Sequence, residues 1–108
     1  MFILNKIDSI SEFDELLSTK QSFFLLKHSL TCPISASAYE EYKNFDAHEQ
    51  ADTYYLAVQE AKELSAYIAD QFGVRHESPQ ALYFKDKKPV WNTSHFKIKE
   101  KALKDQLQ

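Results

Sequence analysis

The chain has 108 residues, of which 44% are hydrophobic, and its formal net charge at pH 7 is −3. This length fits one domain comprising residues 1–108, and eight Phe and six Tyr residues supply enough apolar surface for a packed core. The mild negative charge argues against a nucleic-acid-binding protein. No run approaches the roughly 18 to 20 apolar residues of a membrane helix, so we expect no membrane-spanning segment.

The first residues, MFILNKIDSISEF, predict a strand that runs into a helix. They lack the basic leader and the small-residue cleavage site of a secretory signal, so we expect a cytoplasmic protein. Ser9 and Glu12 have the spacing of a capping box at the start of this helix. Apolar residues at helical spacing follow and predict that the helix ends near Thr19 or Lys20.

The middle of the chain predicts two strands separated by a helix. Residues 22–27, SFFLLK, and residues 53–58, TYYLAV, are short apolar runs typical of buried strands. Pro33 suits the first turn of the intervening helix, because the N–H that it lacks has no intrahelical partner there. The apolar stripe of this helix consists of Ile34, Ala38, Tyr42 and Phe45.

The last part of the chain predicts a helix, a hairpin and a final helix. The third helix carries Ala61, Leu64, Ile68 and Phe72 on one face and ends before Gly73, which suits a left-handed position. Residues 80–85 and 89–92 flank a polar turn at 86–88 and predict a hairpin.

Ser94 is a suitable cap for the final helix, which would bury Phe96, Leu103 and Leu107 and pair Glu100 with Lys104. The complete order is then β-α-β-α-β-α-β-β-α. It predicts an α/β protein with a mixed central sheet and helices on both faces.

Cys32 is the single cysteine and directly precedes Pro33, where the second strand gives way to the second helix. A lone cysteine forms no internal disulfide, so a redox cycle at Cys32 needs an external thiol. The thiolate is the reactive form, and the free amides of a helix N-terminus favour it. Ser35 lies one helical turn further on, where its hydroxyl can donate to the thiolate. The alternative is that Cys32 is simply a small buried hydrophobic residue.

A second candidate element is Ser78-Pro79 at the start of the predicted hairpin. The residues alone favour a trans peptide bond, since cis occurs in only about 5 to 6% of X–Pro bonds in folded proteins. A cis Pro79 close to Cys32 would leave the Ser78 backbone free to pair with an extended substrate. A metal site built from His28, Cys32 and His76 has no supporting spacing, so we expect no metal.

Three segments, KHSLTCPIS, GVRHESPQ and ALYFKDKKPVW, together resemble the monothiol bacilliredoxins, which are thioredoxin-fold proteins of the bacillithiol system. The resemblance covers essentially the whole chain and implies a thioredoxin-like fold. It implies that Cys32 is the redox-active cysteine and that Ser35 occupies the place of the resolving cysteine of dithiol relatives. It also implies that Pro79 is a cis-proline facing the site, and that Thr31, Pro33, Ser78 and Pro79 contact the substrate.

The function that the resemblance implies is removal of bacillithiol from protein mixed disulfides by thiol–disulfide exchange. Bacillithiol would then be a co-substrate, with no bound cofactor. The partners would be bacillithiolated client proteins and a disulfide reductase that recycles the small thiol. Two alternatives stay open. One is an iron–sulfur cluster carrier, although Pro33-Ile34 stands where such single-cysteine glutaredoxins have Gly-Phe. The other is a redox-inert interaction module.

Overall fold

The computed structural model describes residues 4–49 and 51–107. Its elements in chain order are β1 (Asn5–Lys6), α1 (Ile10–Thr19), β2 (Ser22–His28), α2 (Pro33–His48), β3 (Thr53–Ala57), α3 (Lys62–Phe72), β4 (Gln80–Lys85), β5 (Lys88–Ser94), a 3-10 turn (His95–Lys97) and α4 (Glu100–Asp105). The beginning of the predicted first strand, residues 1–3, lies outside the described residues. Within the described ranges, no helix is long and apolar enough to cross a membrane.

The five strands form one sheet in the order β1-β3-β2-β4-β5. β1 and β2 both pair in parallel with β3, whereas β4 runs antiparallel to β2 and β5 antiparallel to β4. The helix between β2 and β3 supplies the crossover that a parallel pair requires. This arrangement confirms the predicted α/β class with a mixed central sheet.

Two hydrophobic clusters cover the two faces of the sheet. Phe24 and Leu26 of β2 pack with the apolar residues of α2 and α4 on one face. Phe23 and Leu25 pack with those of α1 and α3 on the other. Successive side chains of a strand point to opposite faces, which explains why a continuous apolar run is needed in the middle strand.

Two of the predicted helix ends are confirmed in detail. The side chain of Ser9 accepts a hydrogen bond from the Glu12 backbone N–H at 3.2 Å, and Glu12 Oε1 accepts the Asp8 N–H at 3.1 Å. Both ends of this capping motif therefore satisfy amides at the start of α1. Gly73 follows α3 with φ of +63°, the left-handed conformation that its sequence position predicts.

The C-terminal part differs from the sequence prediction. The hairpin turn contains only Asp86 and Lys87, with φ of +54° and +69°. Ser94 does not cap the final helix, because it pairs with Gln80 as the last residue of β5. The chain then turns at His95, where φ is +54°, and α4 begins only at Glu100.

As a consequence, the buried residues near the final helix differ from those predicted. Phe96 falls in the 3-10 turn and is 67% exposed, whereas Ile98, which the prediction left out, is buried with Leu103. Leu107, predicted to be buried, is exposed.

The predicted Glu100–Lys104 ion pair is replaced by contacts with the end of α2. Glu100 contacts His48 at 2.6 Å, and Lys104 lies 3.8 Å from Glu49.

Candidate active site

The topology places the two candidate segments at the same edge of the sheet. β2 ends at His28 and leads into Cys32, while β4 begins directly after Pro79. Lys27 pairs with Gln80 across these antiparallel strands, so the end of β2 lies beside the start of β4. The Ser78–Pro79 peptide bond is cis, as the family resemblance implies and contrary to the expectation from the residues alone.

Cys32 occupies the N-cap position of α2 with an extended backbone, and Pro33 is the first helical residue. The Cys32 carbonyl accepts the Ala36 N–H at 3.1 Å, while its side chain makes no cap hydrogen bond. The amides at the second and third helical positions, Ile34 and Ser35, have no acceptor within the helix. Cys32 is half-buried and directly precedes this first turn.

Ser35 is fully buried, and its hydroxyl contacts two residues that precede Cys32 in the chain. It accepts the Ser29 backbone N–H at 2.8 Å and lies 2.9 Å from Nδ1 of His28. Within the described part of the chain, no hydrogen bond joins Ser35 to Cys32. Donation from Ser35 to the thiolate therefore stays a prediction, while the contact that the structure shows holds the loop that precedes Cys32.

His28 points to the α2 face of the sheet. Its ring centroid lies 4.7 Å from that of Tyr39 and 6.4 Å from that of Tyr55. Burial lowers the pKa of His28, which favours the neutral ring at pH 7. His28 therefore acts in this structure as a hydrogen-bonding partner of Ser35 more than as a source of positive charge.

Gln59 is a site residue that the sequence analysis missed. Its side-chain oxygen accepts the Leu30 N–H at 3.0 Å, and its nitrogen donates to the Ser29 hydroxyl at 2.9 Å. Thr31 Oγ1 lies within 3.4 Å of the same nitrogen. The Gln59 side chain thus fixes the position of the loop 29–31, which precedes Cys32. The available signal was a polar residue just after a strand that runs parallel to β2, since such strands end at the same sheet edge.

Pro79 is buried, and its carbonyl accepts the His95 N–H at 3.0 Å. Ser78 is only half-buried. Among the described residues, no backbone hydrogen bond outside the regular elements involves Ser78. Its N–H and C=O are therefore available to an extended chain, as expected for a cis Pro79.

The most unusual buried group at this edge is the Lys27 side chain, which points to the α3 face. Lys27 is fully buried, and its Nζ lies 3.2 Å from both the Ser65 carbonyl and Nδ1 of His76. None of the ion pairs within the described ranges involves it. Because burial penalises the charged form, the pKa of Lys27 falls from 10.5 to about 8.

The contacts of the two histidines also bear on the metal hypothesis. His28 bonds to Ser35 on one face of the sheet, and His76 bonds to Lys27 and Ser65 on the other. The described residues contain no group of three His, Cys, Asp or Glu side chains that could hold a metal ion.

We expect Lys27→Met to raise the free energy of unfolding by about 2 kcal/mol at pH 7, because an apolar side chain replaces a desolvated charge. With a folded-state pKa of about 8 against 10.5, the unfolded chain binds more protons between these pH values. The penalty from Lys27 is therefore complete below pH 8 and is relieved as the pH rises towards 10.5.

Urea unfolding across this pH range measures the difference between Lys27→Met and the parent chain. The difference should shrink above pH 8, whereas the exposed control Lys88→Met should match the parent throughout. If the free energy of unfolding of Lys27→Met exceeds that of the parent by the same amount at every pH, the gain does not come from removing the buried charge.

The geometry defines a thioredoxin-like protein with a single cysteine at the start of α2 and a cis-proline at the same edge of the sheet. Solved thioredoxins share its fold. The N21Q mutant thioredoxin from Halobacterium salinarum NRC-1 matches with a TM-score of 0.76 at 20% identity, covering 94% of this chain and 85% of that one. Reduced Schistosoma mansoni thioredoxin matches with a TM-score of 0.76 at 12% identity, covering 96% and 94%. These likenesses confirm the thioredoxin-like fold.

A more similar solved structure is described as "a putative oxidoreductase with a thioredoxin fold". It is 42% identical, with a TM-score of 0.93, over 98% of this chain and 95% of that one. The family model "Monothiol bacilliredoxin BrxC" matches residues 5–103. The chain therefore belongs to the monothiol bacilliredoxin family. Family and fold together support a thiol redox role.

Proposed function

We propose that the protein is a cytoplasmic thiol–disulfide oxidoreductase that removes bacillithiol from mixed disulfides on client proteins. The observation that carries the proposal is the partly exposed Cys32 at the N-cap of α2, at the same sheet edge as Ser78 and the cis Pro79. Membership of the monothiol bacilliredoxin family supports bacillithiol as the small thiol.

The reaction follows from this arrangement as two exchanges. The Cys32 thiolate attacks the bacillithiol sulfur of the mixed disulfide, so a Cys32–bacillithiol bond forms while the client–bacillithiol bond breaks. The client leaves as a thiolate and takes a proton from solvent. A second bacillithiol thiolate then attacks the adduct, which frees Cys32 and produces bacillithiol disulfide. A disulfide reductase returns that product to two thiols.

The neighbouring residues have distinct parts in this scheme. The free amides at the start of α2 stabilise the attacking sulfur as an anion. Pro33 stiffens this turn, and Thr31 lies exposed on the other side of Cys32, where both can contact the substrate. The backbone of Ser78, next to Pro79, pairs with the extended client segment. Ser35 holds the preceding loop through Ser29.

The test is to mix the reduced protein with oxidised bacillithiol and weigh it intact. We expect a single adduct on Cys32 that further bacillithiol removes. A client carrying bacillithiol should be reduced faster than the same client carrying glutathione. No adduct, or an adduct that persists in Cys32→Ser, would contradict the proposal.

Two further measurements test the alternatives. Visible absorbance after iron–sulfur cluster reconstitution would favour the iron–sulfur carrier. Alkylation of Cys32 no faster than that of a model peptide would favour an inert module.

A further inference from the structure

A cavity of about 350 Å³ lies between α3 and the segment that leads to Pro79. Val58, Lys62, Ser65 and His76 are among the residues that line it. Its lining residue Val58 donates its N–H to the carbonyl of His28 at 2.8 Å, and His28 is the last residue of β2 before the loop that leads to Cys32. The proposed exchange reaction does not use this cavity.

The buried ammonium of Lys27 lies behind residues that line the cavity. Both groups that hold this ammonium, Ser65 and His76, line the cavity. A lysine ammonium has three donors, and this one has two acceptors and no carboxylate partner among the described residues. A buried charge in this condition is costly, and a bound anion would offset that cost.

Nearby polar groups reinforce this reading. When Lys27 donates to Nδ1 of His76, the proton of the neutral ring is on Nε2, which is then a hydrogen-bond donor. Gln80 faces the same side of the sheet as Lys27, and its Oε1 is buried without a partner within the described ranges. Gln80 is not among the residues that line the cavity, and its oxygen is an acceptor that offers an anion no bond, so the donor that the cavity offers from this region is the His76 Nε2–H.

The charges along the cavity indicate where an anion would lie. Lys62 is at the start of α3 and exposed, and Ser65, one turn later, lies 3.0 Å from His76. Asp70 lines the cavity too, but eight positions along a helix place it roughly 12 Å beyond Lys62. Burial and the charge of Lys27 lower the pKa of His76, and the adjacent carboxylate of Glu77 opposes this shift without reversing it. The favourable end is therefore the one beside Lys62 and Val58, nearest the active-site loop.

We infer that this end of the cavity binds a carboxylate of the small thiol while its sulfur is at Cys32. The carboxylate contacts His76 and Lys62. Lys27, buried behind Ser65 and His76, adds positive electrostatic potential at this position. This inference rests on the proposed function, because it assigns a headgroup site to the same co-substrate. It makes Lys27 a specificity-determining residue for thiols that carry a carboxylate.

Binding is tested first without any redox step, by NMR titration of the reduced protein with sodium acetate against sodium chloride at equal ionic strength. We expect the His76 ring signals to shift saturably with acetate alone. The affinity should fall about tenfold in Lys27→Met and several-fold in Lys62→Gln, and stay unchanged in Lys88→Met. No saturable shift in the parent chain, or equal affinity in Lys27→Met, would overturn the inference.

Turnover provides the second measurement, with dithiothreitol as a neutral reductant that releases the Cys32 adduct, dithiodiglycolate as a carboxylate-bearing disulfide and hydroxyethyl disulfide as a neutral one. Lys27→Met should raise KM about tenfold for the first substrate alone and leave kcat within about twofold. An equal change in KM for both would overturn the inference. If the parent chain reduces neither substrate, the proposed function fails, and the acetate titration still decides whether the cavity binds carboxylates.

Discussion

Cys32→Ser is expected to lower the rate of thiol–disulfide exchange by at least about a thousandfold, to the level of the uncatalysed reaction. The reason is that Cys32 is the single cysteine in the chain, so no second thiol can take over. A serine hydroxyl is not ionised near neutral pH and forms no disulfide. The measurement is release of the client thiol from a bacillithiolated client at saturating bacillithiol.

Ser35→Ala is the matched control for this loss, since it removes an oxygen one helical turn away. It should retain much more activity than Cys32→Ser, because Ser35 makes no hydrogen bond to the sulfur in this structure. It should instead destabilise the fold by about 1 to 3 kcal/mol, because the Ser29 N–H loses its buried acceptor. Substantial exchange activity in Cys32→Ser at unchanged stability would show that the chemistry lies elsewhere.

Phe13→Ala is expected to lower the free energy of unfolding by about 4 kcal/mol. Phe13 is fully buried at the centre of the α1 and α3 face. Its ring makes edge-to-face contacts with four others, with centroid distances from 5.3 to 6.3 Å, namely Phe23, Tyr67, Phe72 and Phe84. Truncation therefore removes apolar burial and leaves a cavity among rigid rings.

The matched control is Phe96→Ala, which makes the same chemical change at a residue that is 67% exposed. Its effect should stay within about 0.5 kcal/mol, the range of ordinary surface substitutions. Urea denaturation of both variants at pH 7 measures the contrast. Comparable losses from the two substitutions would mean that the turn after β5 packs differently from the structure described.

Local patterns were sufficient to predict most of the elements. Alternation between short apolar runs and helical spacing predicted β2, β3 and α3 with ends within a residue or two of those observed, and Pro33 marked the start of α2. Ser9 and Gly73 marked helix ends because their effects depend only on the adjacent backbone. The hairpin was found, but its turn and the final helix were misplaced. The distant pairing of Ser94 with Gln80 decided where β5 ends.

Some features of the candidate site could likewise be predicted from the sequence, and others could not. The position of Cys32 before Pro33 at a strand-to-helix junction was visible in the sequence. The cis bond at Pro79 was implied only by the resemblance to a family, since composition favours trans. The position of Gln59 just after β3 was a usable signal, but its specific partners in the loop 29–31 lie about thirty positions away and were set only by the fold.

The sequence by itself determined the α/β class, the single cysteine and its place at the start of a helix, because these follow from neighbours along the chain. Only the tertiary structure decided that Lys27 is buried without a carboxylate partner among the described residues, and that the Ser35 hydroxyl contacts Ser29 and His28. It also decided that Phe96 is exposed. The physical reason is that burial and hydrogen-bond partners are set by residues from other strands and helices, which approach only when the sheet assembles.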